Sequence, residues 1–375
     1  MNTKKAFETA VVGGIEVKNR LMRSATFEHM GKGGAPEQRL FKMYDELCDG
    51  EVGLIIAGYM GFAATDNHSD SVLILDKNHS TQELSKLTAA VHAKGTKIVA
   101  QINHTSSQLL APPEAPAYGP SDGVDLATGV PATALTVEQI KEIVREFGVA
   151  ATRAKEAGFD GVQIHGAHGY LLNKFLNPSV NHRTDEYGGS LDNRARIIEE
   201  ILLEVKQVCS ADYPVWIKLN CSDFLADGSG ITEPEFLRVS ERLSQKGMDA
   251  IEVSGGSMMG KYKIFRSKKH TSYHLESAKK LAVDASVILV GGVRELESVE
   301  TILADTQIDA ISMSRALIRQ PDLIKNWKEG DRSPVQCVSC NGCFNPTGVA
   351  CFFHLSPEAR EAQNPILQMM SPKND

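Results

Sequence analysis

Eight short apolar runs, each followed by a segment with helical spacing, limit this chain to very few folds. The runs are LMRSAT (21–26), GLIIAG (53–58), KIVAQI (97–102), GVQIHG (161–166), VWIKLN (215–220), AIEVSG (250–255), VILVGG (287–292) and AISMSR (310–315). Continuous apolar runs of this length suit strands buried on both faces of a parallel sheet. Apolar residues recur at helical spacing over 39–47, 81–94, 137–157, 193–208, 235–246, 274–283, 296–304 and 323–328. Thr136 sits where a helix N-cap belongs, and Gly95, Gly158 and Gly247 where left-handed helix ends belong. Eight strand–helix units predict an α/β protein of the (β/α)8 TIM-barrel type. A doubly wound sheet is the alternative. The number of units and the lack of an early GxGxxG turn favour the barrel.

The connection across residues 103–136 is long and contains APPEAPAYGPSDG. Such a Pro- and Gly-rich segment is expected to cap the top of the barrel and rim its active site. The repeat runs out near residue 330, which divides the chain into a barrel over 1–330 and a Cys-containing C-terminal tail over 331–375. A formal net charge of −7 argues against a nucleic-acid partner, which would require a basic face. No run of about 18 apolar residues offers a membrane span. The N-terminus, MNTKKAFETA, lacks the apolar stretch of a secretion signal. The expectation is a cytoplasmic protein acting on a small molecule, with a homo-oligomer left open. Four of the seven cysteines, Cys337, Cys340, Cys343 and Cys351, crowd into the tail. Without a secretion signal, that crowding points to metal or redox chemistry ahead of structural disulfides.

In α/β barrels the chemistry gathers at the C-terminal ends of the strands. Here those ends supply Ser24, Ala25 and Thr26; Ala57; Gln101; His165, with His168 and Tyr170 close behind; Lys218; Gly291 and Gly292; and Ser314 and Arg315. Glycines let backbone N–H groups approach a phosphate closely, and Arg315 adds a forked cation after the last strand. Gln101 offers a donor and an acceptor on one face, which suits a pyrimidine-like edge. Lys218 at a buried strand end requires an anionic partner. That partner is either a local carboxylate such as Asp223 or a ring that gathers negative charge on reduction.

Taken together, these residues resemble the Old Yellow Enzyme family, flavin-dependent ene-reductases built on a (β/α)8 barrel. The longest match is HGAHGYLLNKFLNPSVNHRTDEYGGSLDNRAR, residues 165–196. KNRLMRSAT (18–26), QINH (101–104), GPS (119–121), GGV (291–293) and SRALIRQPDL (314–323) support it. The resemblance implies FMN at the barrel mouth and NAD(P)H as the hydride donor. By position, Ser24, Ala25, Thr26, Ala57, Gln101 and Lys218 would line the flavin, and Gly291, Gly292, Ser314 and Arg315 would hold its phosphate. His165 and His168 would grip the carbonyl oxygen of an activated alkene, and Tyr170 would donate the proton. Arg183, Asp192 and Arg194 read as braces of the loop and helix start.

Three positions depart from the family pattern. Phe27 stands where relatives carry a flavin-tuning Thr, Cys or His. TSSQ (105–108) replaces a more usual HAGRQ-like run, and Lys218 replaces an Arg. The tail, CVSCNGCFNPTGVAC, is reminiscent of the iron–sulfur segment of the 2,4-dienoyl-CoA reductase branch, with different spacing. That leaves an iron–sulfur cluster, zinc or free thiols open at Cys337, Cys340, Cys343 and Cys351. The expected activity is NAD(P)H-driven reduction of the C=C bond of α,β-unsaturated carbonyl compounds. The alternatives are an iron–sulfur flavoprotein fed by a separate donor, a flavin carrier with impaired turnover, and a metal-dependent hydrolase with His165 and His168 as ligands.

Overall fold

A computed structural model describes residues 4–361 apart from 64, 68, 110–112, 114, 226, 258–269 and 344–347. Part of the capping segment and part of the tail therefore lie outside the described residues. The barrel strands are β1 (Leu21–Arg23), β2 (Leu54–Ile56), β3 (Lys97–Ile102), β4 (Gly161–Gly166), β5 (Val215–Asn220), β6 (Ala250–Ser254), β7 (Ser286–Val290) and β8 (Ala310–Met313). Each pairs in parallel with the next, and β8 pairs with β1. The ring is closed, so the (β/α)8 TIM-barrel expectation holds and the doubly wound sheet does not.

The outer layer comprises α1 (Gln38–Asp49), α2 (Gln82–His92), α3 (Val137–Glu156), α4 (Leu171–Leu176), α5 (Leu191–Cys209), α6 (Glu233–Gln245), α7 (Leu275–Ala278), α8 (Leu296–Asp305), α9 (Arg315–Arg319) and α10 (Leu323–Lys328). Thr136 and Gln139 cap α3 reciprocally, and Gly95, Gly158 and Gly247 all have positive φ. The helix expected over 274–283 is cut short. The Gln307 amide donates to the carbonyls of Ala278 and Leu281, both at 2.9 Å, and so takes acceptors a longer helix would use. No described helix is long and apolar enough to cross a membrane.

The inside of the barrel changes character along its axis. An antiparallel hairpin, Ala10–Val12 with Ile15–Val17, packs under the N-terminal end. Its apolar side chains meet Met22, Leu54, Ile56, Val99, Trp216, Ala250, Ile288 and Ala310, all buried. Trp216 donates its indole N–H to the Gly13 carbonyl in the hairpin turn, at 2.8 Å. Two residues further along, strands β3, β4, β5, β6 and β8 put Gln101, His165, Gln163, Lys218, Glu252 and Ser312 into the interior instead. Side chains alternate faces along a strand, so a polar residue two positions after an apolar interior one also points inward.

The capping segment is more ordered than a plain loop. Three short strands, Ala117–Gly119, Gly123–Val124 and Pro131–Ala134, form a small sheet within it. Asp125 ties this sheet to α4 through the Lys174 ammonium, 2.6 Å away and almost fully buried with it. Arg183 adds bonds to the carbonyls of Pro120 and Leu135 and to Asp185. Arg194 reaches the Leu176 carbonyl and Glu235, and Asp192 pairs with Arg238 and Arg242. All three therefore act as braces. The tail turns back onto the barrel, with Val335 N–H on the Arg294 carbonyl and Val349 N–H on the Glu28 carbonyl.

Candidate active site at the barrel mouth

A continuous polar network spans the barrel just below its C-terminal mouth. Gln101 donates to Gln163 at 2.7 Å, and Gln163 donates to Glu252 at 2.8 Å. Glu252 also accepts from Ser24 (2.7 Å) and Ser312 (2.6 Å), and its carboxylate lies 3.0 Å from the Lys218 ammonium. Lys218 donates in turn to Ser24 at 2.9 Å. Burial alone would raise the Glu252 acid. The Lys218 charge and the hydroxyl donors outweigh it and hold the carboxyl below its ordinary value. The expected carboxylate partner of Lys218, Asp223, is thus replaced by Glu252. The reason is register: Lys218 and Glu252 are directly paired residues of β5 and β6, on the same inward-facing parity.

Asp223 serves another purpose. It is buried and accepts from Asn173 (3.2 Å), Asn177 (2.9 Å), Asn220 (2.8 Å) and the Ile231 N–H (3.1 Å). Asn173 and Asn220 use their other amide atom on the turn after β4, taking the N–H of Gly169 (2.8 Å) and of His168 (3.3 Å). Both turn residues have positive φ, 62° for His168 and 86° for Gly169. A non-glycine residue in that region is strained and persists where its surroundings over-determine it. The asparagine–aspartate cluster supplies that constraint, and it aims the next residue, Tyr170, back over the barrel.

The turn brings the three expected catalytic side chains together. The His165 ring lies 5.2 Å from that of His168 and 4.9 Å from that of Tyr170, both edge-on. Burial, then the nearby Lys218 charge, push His165 well below its ordinary pKa, so it is neutral at pH 7. Its Nδ1 accepts the Ala167 N–H at 3.2 Å, which leaves the proton on Nε2 as a donor. His168 Nε2 shares a hydrogen bond with Ser254, 2.7 Å away. Tyr59, on no sequence shortlist, stands 6.0 Å from Tyr170 and 4.6 Å from Phe27, ring to ring. Phe27 therefore belongs to an aromatic wall beside the two tyrosines.

The opposite side of the mouth, at β7 and β8, holds the expected phosphate group of residues. Gly291 and Gly292 have φ of 108° and 75°. Tyr273 N–H donates to the Gly291 carbonyl (3.1 Å), and a Cβ on Gly292 would press on the Tyr273 ring. Thr26 and Ser314 share a hydrogen bond of 2.5 Å across β1 and β8. Arg315 donates to Asn341 of the tail at 2.8 Å. Cys337, Cys340, Cys343 and Cys351 line one small cavity with Arg315 and Arg319. Burial raises the Cys343 thiol to about 12. Among the described residues, no three His, Cys, Asp or Glu side chains stand where one metal ion could bind them. His165 and His168, the ligands of the hydrolase alternative, thus gain no third ligand among the described residues.

The model of the NADH:flavin oxidoreductase / NADH oxidase family matches residues 5–333. The chain belongs to that family. The Old Yellow Enzyme resemblance is thereby borne out for the family as a whole. An NADPH dehydrogenase of Bacillus subtilis is 32% identical over 85% of this chain and 92% of its own. An NADH oxidase of Thermoanaerobacter brockii is 32% identical over 90% of this chain and 53% of its own, so the chain spans about half of that relative. A solved 2-naphthoyl-CoA reductase complex superposes with a TM-score of 0.84 at 25% identity, covering 96% of this chain and 58% of that one. The family's own description names a nicotinamide and a flavin.

Proposed function

We propose that the protein is an FMN-dependent oxidoreductase that takes reducing equivalents from NAD(P)H and reduces the C=C bond of α,β-unsaturated carbonyl compounds. The observation that carries this reading is the convergence of His165, His168 and Tyr170 beside Lys218, with His165 fixed as a neutral Nε2–H donor. The residues present fit FMN. A carboxamide on β3 (Gln101) and an ammonium on β5 (Lys218) flank β4, and an arginine with paired glycines follows β7 and β8 across the mouth. Bound FMN would accept hydride from the nicotinamide and pass it to the alkene β-carbon. The chain's own residues do the rest. His165 and His168 donate to the substrate oxygen, where negative charge builds in the transition state. Tyr170 supplies a proton to the α-carbon, and Phe27 and Tyr59 wall off one side from water. Arg315, with Ser314, Gly291 and Gly292, would bind the phosphate. The division into a barrel over 1–330 and a tail over 331–375 is part of the same reading, supported by the end of the strand–helix repeat at Lys328, the last residue of α10.

Arg315→Ala tests the cofactor assignment. FMN affinity should fall roughly 10- to 100-fold, the worth of hydrogen bonds to a charged group, while the apoprotein loses only the Asn341 bond, about 1 kcal/mol of stability. Unaltered FMN affinity would remove Arg315 from the phosphate site.

The second reading, an iron–sulfur flavoprotein with a separate donor, is favoured only by the four thiols sharing one cavity. As placed, they do not form a ligand set among the described residues. Anaerobically purified protein should carry neither iron nor zinc in stoichiometric amount. Stoichiometric iron that is lost in Cys340→Ser would establish the second reading in its place.

A further inference from the structure

The polar layer contains a carboxylate with no part in the chemistry above. Glu252 is fully buried, yet it is ionised and saturated, with bonds from Gln163, Ser24 and Ser312 and the Lys218 ammonium 3.0 Å away. An ionised carboxylate so deep in a barrel is costly unless it is paired. The same holds for Lys218, whose side chain is 4% exposed. Each charge stabilises the other there.

We infer that Glu252 is a positioning residue for the flavin chemistry: it holds the Lys218 ammonium at the mouth and offsets its charge, so that the pair, not the lysine alone, sets the reduction potential of the cofactor. The inference rests on the proposed FMN site. A lone cation beside the ring would favour the reduced, anionic state strongly. A cation tethered to a buried carboxylate favours it less, because the two fields oppose. The tether also fixes where the charge sits. Ser24 bonds both partners, Lys218 at 2.9 Å and Glu252 at 2.7 Å, so β1 locks the pair from the flavin-lining side. Gln101, an expected flavin contact, joins the same carboxylate through Gln163. One buried acid thereby orients three candidate cofactor contacts: Ser24, Gln101 and Lys218.

The test is the midpoint potential of bound FMN, measured at one fixed pH for every variant. Glu252→Gln keeps the shape and removes the charge. It should shift the equilibrium towards the reduced state by about tenfold, which is about 30 mV for a two-electron couple. Glu252→Asp, which keeps the charge, should shift it by less than about threefold. In a Lys218→Met background, Glu252→Gln should have no further effect, because the stranded carboxyl is already protonated there. Should Glu252→Gln prove insoluble, Lys218→Met alone still decides. Its potential should fall by less than tenfold in the equilibrium constant, since Glu252 takes up a proton as the cation leaves. An unmoved or lowered potential in Glu252→Gln, an equal shift with and without Lys218, or a hundredfold fall in Lys218→Met overturns the inference. Each of those outcomes is read on protein that binds FMN and oxidises NAD(P)H. Wild-type protein that binds no FMN refutes the parent reading, and this inference with it.

Discussion

In the Tyr170→Phe protein, flavin reduction by NAD(P)H runs close to the wild-type rate, while reoxidation by cyclohexenone slows roughly 10²- to 10⁴-fold. The substitution keeps the ring against His165 and Tyr59 and removes only the hydroxyl. A phenol with a reference pKa of about 10 carries its proton throughout the neutral range, so it is ready as the hydride arrives at the neighbouring carbon. Reduction of the cofactor requires no such proton. A quinone, which accepts electrons without protonation at carbon, should reoxidise the variant at nearly the wild-type rate. Rapid-mixing measurement of the two half-reactions separates these cases. Equal losses with enone and quinone, or no loss with either, would assign the proton to another donor.

Lys174→Ala should cost about 3–5 kcal/mol of stability, because it strands a buried carboxylate. Lys174 bonds Asp125 at 2.6 Å and Ser107 at 2.5 Å, and both charged side chains are nearly inaccessible. In the wild type, burial raises the Asp125 acid, but Lys174 and two backbone N–H donors outweigh it and hold it below its ordinary value. That contribution is fully present above the ordinary carboxylate pKa of about 3.9 and is lost as pH falls through the lower folded value. In Lys174→Ala the sign reverses, and the stranded acid is driven upward. Its deficit in denaturant unfolding should therefore shrink on acidification. Lys174→Met combined with Asp125→Leu should recover most of the loss. A pH-independent deficit, or one below about 1 kcal/mol, would mean that the capping sheet is held by other contacts.

The parts of this architecture that repeat locally were open to sequence reasoning. KIVAQI, GVQIHG and VWIKLN coincide residue for residue with β3, β4 and β5, because continuous apolar runs have few other uses. His165, His168 and Tyr170 were within reach because the end of β4 and the turn after it carry all three within six positions. Two kinds of feature were not. Helices α4 and α9 are six and five residues long, too short to show a period. Long-range pairings leave no local mark: Asp223 gathers its asparagines from α4 and β5, and Arg315 meets Asn341 from the tail. Glu252 lay in between. Its run, AIEVSG, reads as a buried strand, yet a charged residue inside such a run is a signal in itself. It shares inward parity with Ala250, as Lys218 does with Trp216. Gln163 and Glu252 lie inside their strands, not at the ends, so the strand ends alone do not reveal them.

The hairpin sealed against Trp216 has a kinetic consequence. With the N-terminal end filled by Val12, Ile15 and Val17, molecules reach His165 from the side of the capping sheet. On the proposed function, nicotinamide and alkene would then share that approach, and each would have to depart before the other could enter. Initial-rate plots at several fixed alkene concentrations should run parallel, and excess alkene should inhibit by occupying the oxidised enzyme.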